Sequence, residues 1–477
     1  MTHSRSLAAA GLLLLLAGCA LPRPPAAADA PEPPRWHAPL PHGGTVADLA
    51  RWWTQFGDPL LVELVEAAQS VSPTVATAAT RIAEARSARV AARSAMLPAV
   101  DAVATASRGN AQTGVPLATL SNSGLQMAWE IDLFGARAAE ADAAAARLRG
   151  AEAGWHDARV VVAAETGTTY VDLRVCELQL AVTRNDVRSR AETARLTGLS
   201  AEAGFTAPAV AAQARASAAD GAVLVTQQQG RCALTRKGLV ALTGLPEPEL
   251  RRKLEAAWVE PAGIVATAIP PLPAALLAQR PDVYAAQRNV EAASADVGAF
   301  RADLFPRLSL TGQFGTGVIH ARGETVRSQT WQIGPVTLSV PLFDAGRRAA
   351  AVDAAEARYQ EAVVQYAATV RQAVREVEEA LVNLDSASER SDDARTAVAG
   401  YRVSFAAAEA RYRSGLGSLI EAEDQRRLLL VAELSLAGLQ RERVAAWIAL
   451  YRALGGGWTN PEASARTEPP TDEESIR

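Results

Sequence analysis

The sequence predicts an α+β membrane protein built from one unit used twice, each unit holding two β-strands followed by two very long helices. Three observations carry that expectation. Landmarks of the first half recur about 210 residues later, a spacing much longer than that of solenoid repeats. Short segments alternate apolar and polar residues with period 2. Long proline-free segments place apolar residues at every seventh position.

The duplication is read from matched pairs. Leu97-Pro98 corresponds to Phe305-Pro306, Leu133-Phe134-Gly135-Ala136-Arg137 to Leu342-Phe343-Asp344-Ala345-Gly346-Arg347, and Gly204 to Gly415. Leu242-Thr243-Gly244 corresponds to Leu454-Gly455-Gly456, and Gln213 lies near the position of Gln425. A first repeat is expected at 51–245 and a second at 276–458, joined by a linker at 246–275 and followed by a polar tail at 459–477.

Residues 1–18 read as an export signal: His3 and Arg5 precede an apolar run, Leu7 to Leu16, too short to span a bilayer. The run ends in Leu16-Ala17-Gly18-Cys19, small residues followed by a thiol. This resembles the lipobox of bacterial lipoproteins, which implies a covalent lipid on Cys19: a diacylglyceryl group and an N-acyl chain such as palmitate. Several acyl chains anchor stably where one does not. An ordinary signal peptide with a chance cysteine is the alternative. Ala20, not Asp, follows the cysteine, so the usual inner-membrane retention residue is missing and the outer membrane is the expected address. Residues 19–50 open with a Pro- and Ala-rich stretch and read as a tether.

Strands are expected at about 97–107, 123–134, 305–315 and 331–343. Leu125, Met127, Trp129, Ile131 and Leu133 alternate with Gln126, Ala128, Glu130 and Asp132, one oily face and one wet face. Such runs suit an outer-membrane barrel, although a soluble amphipathic sheet shares the pattern. Gln126, Gln313 and Thr337 are then inward wall positions. The polar links Arg108–Asn122 and Gly315–Ser328 are expected as the outer loops of two hairpins. Four strands cannot close a barrel, since single-chain barrels start at about eight, and lipid does not tolerate open strand edges. The pattern therefore predicts a barrel shared between copies of the chain.

Long helices are expected at about 136–197, 206–243, 346–413 and 417–454. In the third, one seam holds Val352, Tyr359, Tyr366, Ala373 and Ala380, and a second holds Val363, Val370, Val377 and Leu384. A helix of this length would run roughly 100 Å at ~1.5 Å per residue. A rod-like coiled coil without a channel would share these helices but would leave the strands unexplained.

The composition narrows the function. Of 477 residues, 49% are hydrophobic and 21% charged, with net charge −4, which excludes a disordered chain and argues against nucleic-acid binding. The only lysines, Lys237 and Lys253, each follow an arginine, so there is no phosphate-binding Gly-Lys-Ser/Thr loop. The five histidines are scattered without zinc-site spacing, and no Gly-x-Ser-x-Gly elbow occurs. No catalytic residue, metal or soluble cofactor is expected, and the protein is not expected to be an enzyme.

Four segments resemble the TolC-like outer-membrane efflux proteins, in particular their lipoprotein, NodT-type branch. They are RWWTQFGDPLLVELVEAA (51–68), WEIDLFGARAAEA (129–141), QRPDVYAAQRNVEAASADVGAFRADLFPRLSLTGQFG (279–315) and YRSGLGSLIEAEDQRR (412–427). The resemblance implies a homotrimer with one 12-stranded β-barrel standing on a periplasmic α-barrel of long helices, with the inter-repeat linker near its equator. It also implies the role of outer-membrane exit duct in a tripartite pump, with a periplasmic adaptor (membrane fusion) protein and an inner-membrane RND-type transporter as partners. The expected cargo is small molecules, such as drugs or toxic compounds.

In such channels carboxylates near the last helical hairpin line a closing iris. Aligned on Gly415, those positions are Glu421 and Asp424, while the first half has Val210 and Gln213. Glu421 stands where Asp is common, and Glu423 is a possible substitute in the ring. A solvated helix face is the alternative. If 136–197 and 206–243 form a hairpin turning near 204, Cys176 and Cys232 lie level across it and could be disulfide-bonded, with two buried free thiols as the alternative. A type I protein-secretion duct would use the same fold, and a non-channel structural lipoprotein is the reading from a different class.

Overall fold

The computed structural model describes residues 21–30, 49–110, 117–255 and 279–460. Cys19, the expected signal segment and most of the expected linker and tail lie outside the described residues. Along the chain, a 3₁₀ segment (Leu49–Phe56) is followed by α1 (Pro59–Val71), α2 (Pro73–Ser94), β1 (Ala99–Gly109), β2 (Ala118–Ile131), α3 (Ala136–Glu202), α4 (Pro208–Thr243) and α5 (Glu247–Leu254). Then come α6 (Pro281–Ala302), β3 (Arg307–Ala321), β4 (Glu324–Ser339), α7 (Arg347–Arg413) and α8 (Leu419–Ala453). The chain divides into two compact units, one of residues 1–31, 79–154 and 283–369, the other of 32–78, 155–282 and 370–477.

The first unit holds the sheet. Its four strands lie in the order β1-β2-β3-β4, every neighbouring pair antiparallel. The register fixes the faces, because directly opposed residues share a side and alternate along each strand. The rows Ile131–Leu308–Leu338, Trp129–Leu310–Val336 and Ala102–Leu125–Phe314–Trp331 occupy one face. The row Asp101–Gln126–Gln313–Gln332 and the pair Ser309–Thr337 occupy the other. A bulge between Leu310 and Gly312 lets β4 add a residue without changing sides.

The expected outer loops are largely strand. Residues 118–122, 315–321 and 324–328 extend the ladders, and the β3–β4 connection shrinks to Arg322 and Gly323, both with positive φ (52° and 86°), the geometry of a tight hairpin turn. The ladder is made by backbone groups, so polar side chains such as Ser121, Asn122 and Ser123 do not end it. Where β2 and β3 cross at Gly124 and Gly315, the backbones approach so closely that a Cβ on Gly124 would meet the Gly315 Cα at 2.7 Å.

Small residues also let the helices of this unit pack closely. Ala143 and Ala146 of α3 meet Ala292 and Ala295 of α6, and Val290 and Val297 of α6 meet Ala355 and Tyr359 of α7. Residues 21–30 lie along them: Ser294 Oγ donates to the Pro24 carbonyl (2.5 Å) and Arg23 pairs with Asp142 (3.0 Å).

The second unit is centred on aromatic residues. Trp52 stacks on Tyr451 with ring centroids 4.7 Å apart, and Trp53 and Phe56 complete the cluster. Leu61 and Leu64 of α1, Leu173 of α3, Leu239 of α4, Leu381 of α7 and Leu450 of α8 extend this core. Within this unit the heptad positions Val370, Ala373, Val377, Ala380 and Leu384 are buried. Arg280, almost wholly buried, ties three segments together: it grips Asp282 through two hydrogen bonds (2.7 and 2.9 Å) and donates to Glu376 (2.9 Å) and to the Ala453 carbonyl (2.9 Å). Among the described residues no helix is long and apolar enough to cross a membrane.

Candidate functional site

Both helical hairpins of the second unit turn on glycine. Gly204 between α3 and α4 and Gly415 between α7 and α8 adopt positive φ (79° and 74°), where a side chain would be strained. α4 then starts with Pro208, whose fixed φ suits a first helical position. α8 starts from Ser418, whose hydroxyl accepts from the Glu421 amide at 3.1 Å. Each turn exposes one large apolar residue, Phe205 (87%) and Leu416 (81%). Just above the turns, the Thr197 and Tyr412 hydroxyls meet at 3.1 Å.

This cap fixes the direction of the first α8 carboxylates. Glu421 and Asp424, three residues apart, both lie toward solvent and each meets one arginine: Glu421 pairs with Arg411, and Asp424 with Arg427 at 3.1 Å. A carboxylate in the first helical turn is also favoured by the helix dipole.

Glu423 behaves differently. It is buried and ion-paired to Arg426, and accepts a hydrogen bond from Ser217 of α4 (3.0 Å). Ser217 in turn accepts from Arg190 of α3 (2.9 Å), which binds Asp186 at 2.7 Å. The Arg426 guanidinium lies 5.2 Å above the Phe405 ring of α7. Glu423 therefore cannot join a solvent-lined ring, because its oxygens are committed to a polar network joining α3, α4 and α8. Burial raises the Asp186 carboxyl above its ordinary value, against the pull of Arg190. Sequence spacing could not reveal this network, since its partners lie some 200 residues apart.

The remaining predicted positions have plain locations. Cys176 of α3 and Cys232 of α4 are joined in a disulfide with Cα atoms 5.6 Å apart. Gln228, one turn from Cys232, donates to the Cys176 carbonyl (3.3 Å) and to Gln179 (3.1 Å). Gln126 and Gln313 are directly opposed on the sheet, and Gln313 donates to Gln332 at 3.3 Å. Asp101 and Gln332 complete that polar row, which alternation within a single strand does not reveal. Among the described residues no cluster of His, Cys, Asp or Glu could hold a metal ion.

A duplicated strand-pair-and-hairpin unit, with a two-faced sheet and glycine-turned helical tips, defines the class of outer-membrane channel subunits that are largely helical. The family described as "Outer membrane efflux protein" matches twice, over residues 64–245 and 272–456, and the chain belongs to that family. It is 30% identical to the pyoverdine export outer membrane protein OpmQ of Pseudomonas putida, over 96% of this chain and 98% of that one. It is 26% identical to Nodulation protein T of Rhizobium leguminosarum bv. viciae, over 98% and 97% of the two chains. Among solved structures, the outer-membrane channel OprN superposes with TM-score 0.81 at 30% identity, covering 93% of this chain and 99% of that one. The protein is an efflux component of the outer membrane, a transport protein and not an enzyme.

Proposed function

We propose that three copies assemble into the exit duct of a tripartite efflux pump, their sheets closing one 12-stranded barrel and their long helices forming a periplasmic α-barrel. The observation that carries this reading is the sheet itself: one apolar face, one polar face, and two edges, β1 and β4, left without partners among the described residues. Edges of this kind are unstable in lipid until they pair, and three-fold closure pairs all of them. Acylation of Cys19 adds an anchor at the outer membrane. An adaptor and an inner-membrane transporter supply drive and selectivity. The cargo class is small molecules, in keeping with a relative named for pyoverdine export and others named for solvent and toluene efflux.

In this reading Glu421 and Asp424 form the periplasmic gate, a ring of up to six carboxylates drawn from three tips, which favours cations by its summed field. The Cys176–Cys232 bond clamps the first hairpin and forms in the oxidising periplasm. Single-channel recording of the mature protein in a planar bilayer tests the assignment. Wild type should pass cations in preference to anions, and Glu421→Ala/Asp424→Ala should conduct more and discriminate less. An unchanged reversal potential in the double variant would remove the gate assignment, and silence of both inserted proteins would remove the channel.

A further inference from the structure

The apolar face of the sheet has a sharp upper limit. Its last apolar row is Leu125–Phe314–Trp331, and the next same-facing row is Ser123–Thr316–Gln329. Between the second and third rows past Trp331 the opposite face acquires Leu120, Ile319 and Val326 instead. Polarity thus changes sides along β2, β3 and β4. A ring of aromatics at such a limit marks the edge of the hydrocarbon, and Phe314 and Trp331 stand there, 62% and 74% exposed.

Beyond that limit the outward face becomes basic. Arg327 lies on the second row past Trp331, opposite Val318, which is itself opposite Ser121. On the third row Arg108, Thr119, His320 and Thr325 stand in line across the four strands. At ~3.3 Å per residue these rows lie roughly 13 and 20 Å along the strands from the aromatic row, at the level of lipid head groups. Neither arginine makes an ion pair among the described residues, and no carboxylate shares their face there. The nearest acid of the hairpin, Glu324, is on the row of Gly109, Ala118 and Ala321, whose side chains point the other way. His320 is held by the Thr325 hydroxyl at 2.9 Å.

From this arrangement we propose that Arg108, His320 and Arg327, with the neighbouring hydroxyls of Thr119, Ser121 and Thr325, form a docking surface for the phosphate groups of an anionic glycolipid in the outer leaflet. The chemistry fits. A guanidinium fork binds phosphate oxygens in pairs and is weakly hydrated, hydroxyls add donors, and charge complementarity has no acid to oppose it. The proposal rests on the barrel reading above, which makes this face the one turned to lipid. Its occupant is a membrane-held phosphate, since the surface is open and flat and offers a free phosphate ion no enclosure.

The test uses the full mature chain purified in detergent and freed of lipid. Native mass spectrometry measures binding of a bisphosphorylated, acylated glucosamine disaccharide, its dephosphorylated counterpart and inorganic phosphate to wild type and to Arg108→Gln/Arg327→Gln. Wild type should bind the phosphorylated glycolipid at least tenfold more tightly than the dephosphorylated one, and the variant should lose that difference. Equal binding of the two glycolipids by wild type, or undiminished binding by the variant, overturns the proposal. Inorganic phosphate that displaces the glycolipid at equal concentration also overturns it. Bilayer conductance of the variant checks that it still folds and inserts. A wild type that never conducts would fault the channel reading, whereas a conducting wild type without phosphate discrimination faults only this surface.

Discussion

Asp157 on α3 offers the sharpest quantitative test of the second unit. It is largely buried and faces Asp282 and Glu376, while the nearby Arg280 is already committed to both of those acids and Arg452 supplies the other positive charge. Three carboxylates thus share two guanidinium groups. Burial, reinforced by the Asp282 charge, pushes the Asp157 carboxyl from 3.8 up to about 6. At ~1.4 kcal/mol per pH unit, the folded state then carries a penalty of about 3 kcal/mol when Asp157 is ionised. Because the folded pKa lies above the unfolded one, the favourable protonated contribution is complete below about pH 4 and is lost as pH rises through 6. Asp157→Asn removes the titration. Its unfolding free energy, measured by denaturant titration in detergent, should exceed that of wild type by about 2–3 kcal/mol at pH 7.5, and the difference should vanish near pH 4. A difference that stays constant across this range would refute the electrostatic argument and leave a packing effect in its place.

Other perturbations follow from the same geometry. Replacing Cys176 and Cys232 with serine opens a crosslink spanning 56 residues, which on the chain-entropy account costs about 4 kcal/mol; a thermal scan with and without reductant should show wild type falling to the level of the variant. Arg426→Met strands the Glu423 carboxylate in the interior and should cost about 3–5 kcal/mol, whereas Arg426→Met combined with Glu423→Gln should recover part of that loss in the same denaturant assay. Gly124→Ala forces the new Cβ against the Gly315 backbone and should lower the yield of the proposed trimer on size-exclusion chromatography in detergent, while Gly400→Ala, at an open helical position, should leave that yield unchanged.

Much of this architecture can be read from the chain because its signals are local. Gly204 and Gly415 announce turns by themselves, and the heptads from Val370 to Leu384 name their own buried face. The strands are legible in their lower halves, where Trp129 and Ile131 alternate with polar neighbours. Their upper halves are not, because Ser121, Asn122 and Ser123 interrupt the alternation and only the pairing with β3 keeps them extended. At the tips, Glu421 and Asp424 are picked out by the family resemblance aligned on Gly415, and both lie on the exposed side of α8. The burial of Glu423 does not, since it depends on Ser217 and Arg190, which come from the other repeat. Likewise nothing near Asp157 in the chain foretells the acids at 282 and 376.

The edges of β1 and β4, unpaired among the described residues, also have a consequence for how cells tolerate damaged copies. In the proposed trimer each barrel needs every contributed sheet to complete it, so a single subunit with a spoiled edge leaves a gap that two sound neighbours cannot fill. When half of the synthesised chains carry such a lesion, random mixing leaves only about one ring in eight whole. A defect at an edge should therefore be dominant, poisoning its healthy partners, whereas a lesion that stops the chain folding before it meets other copies should be recessive.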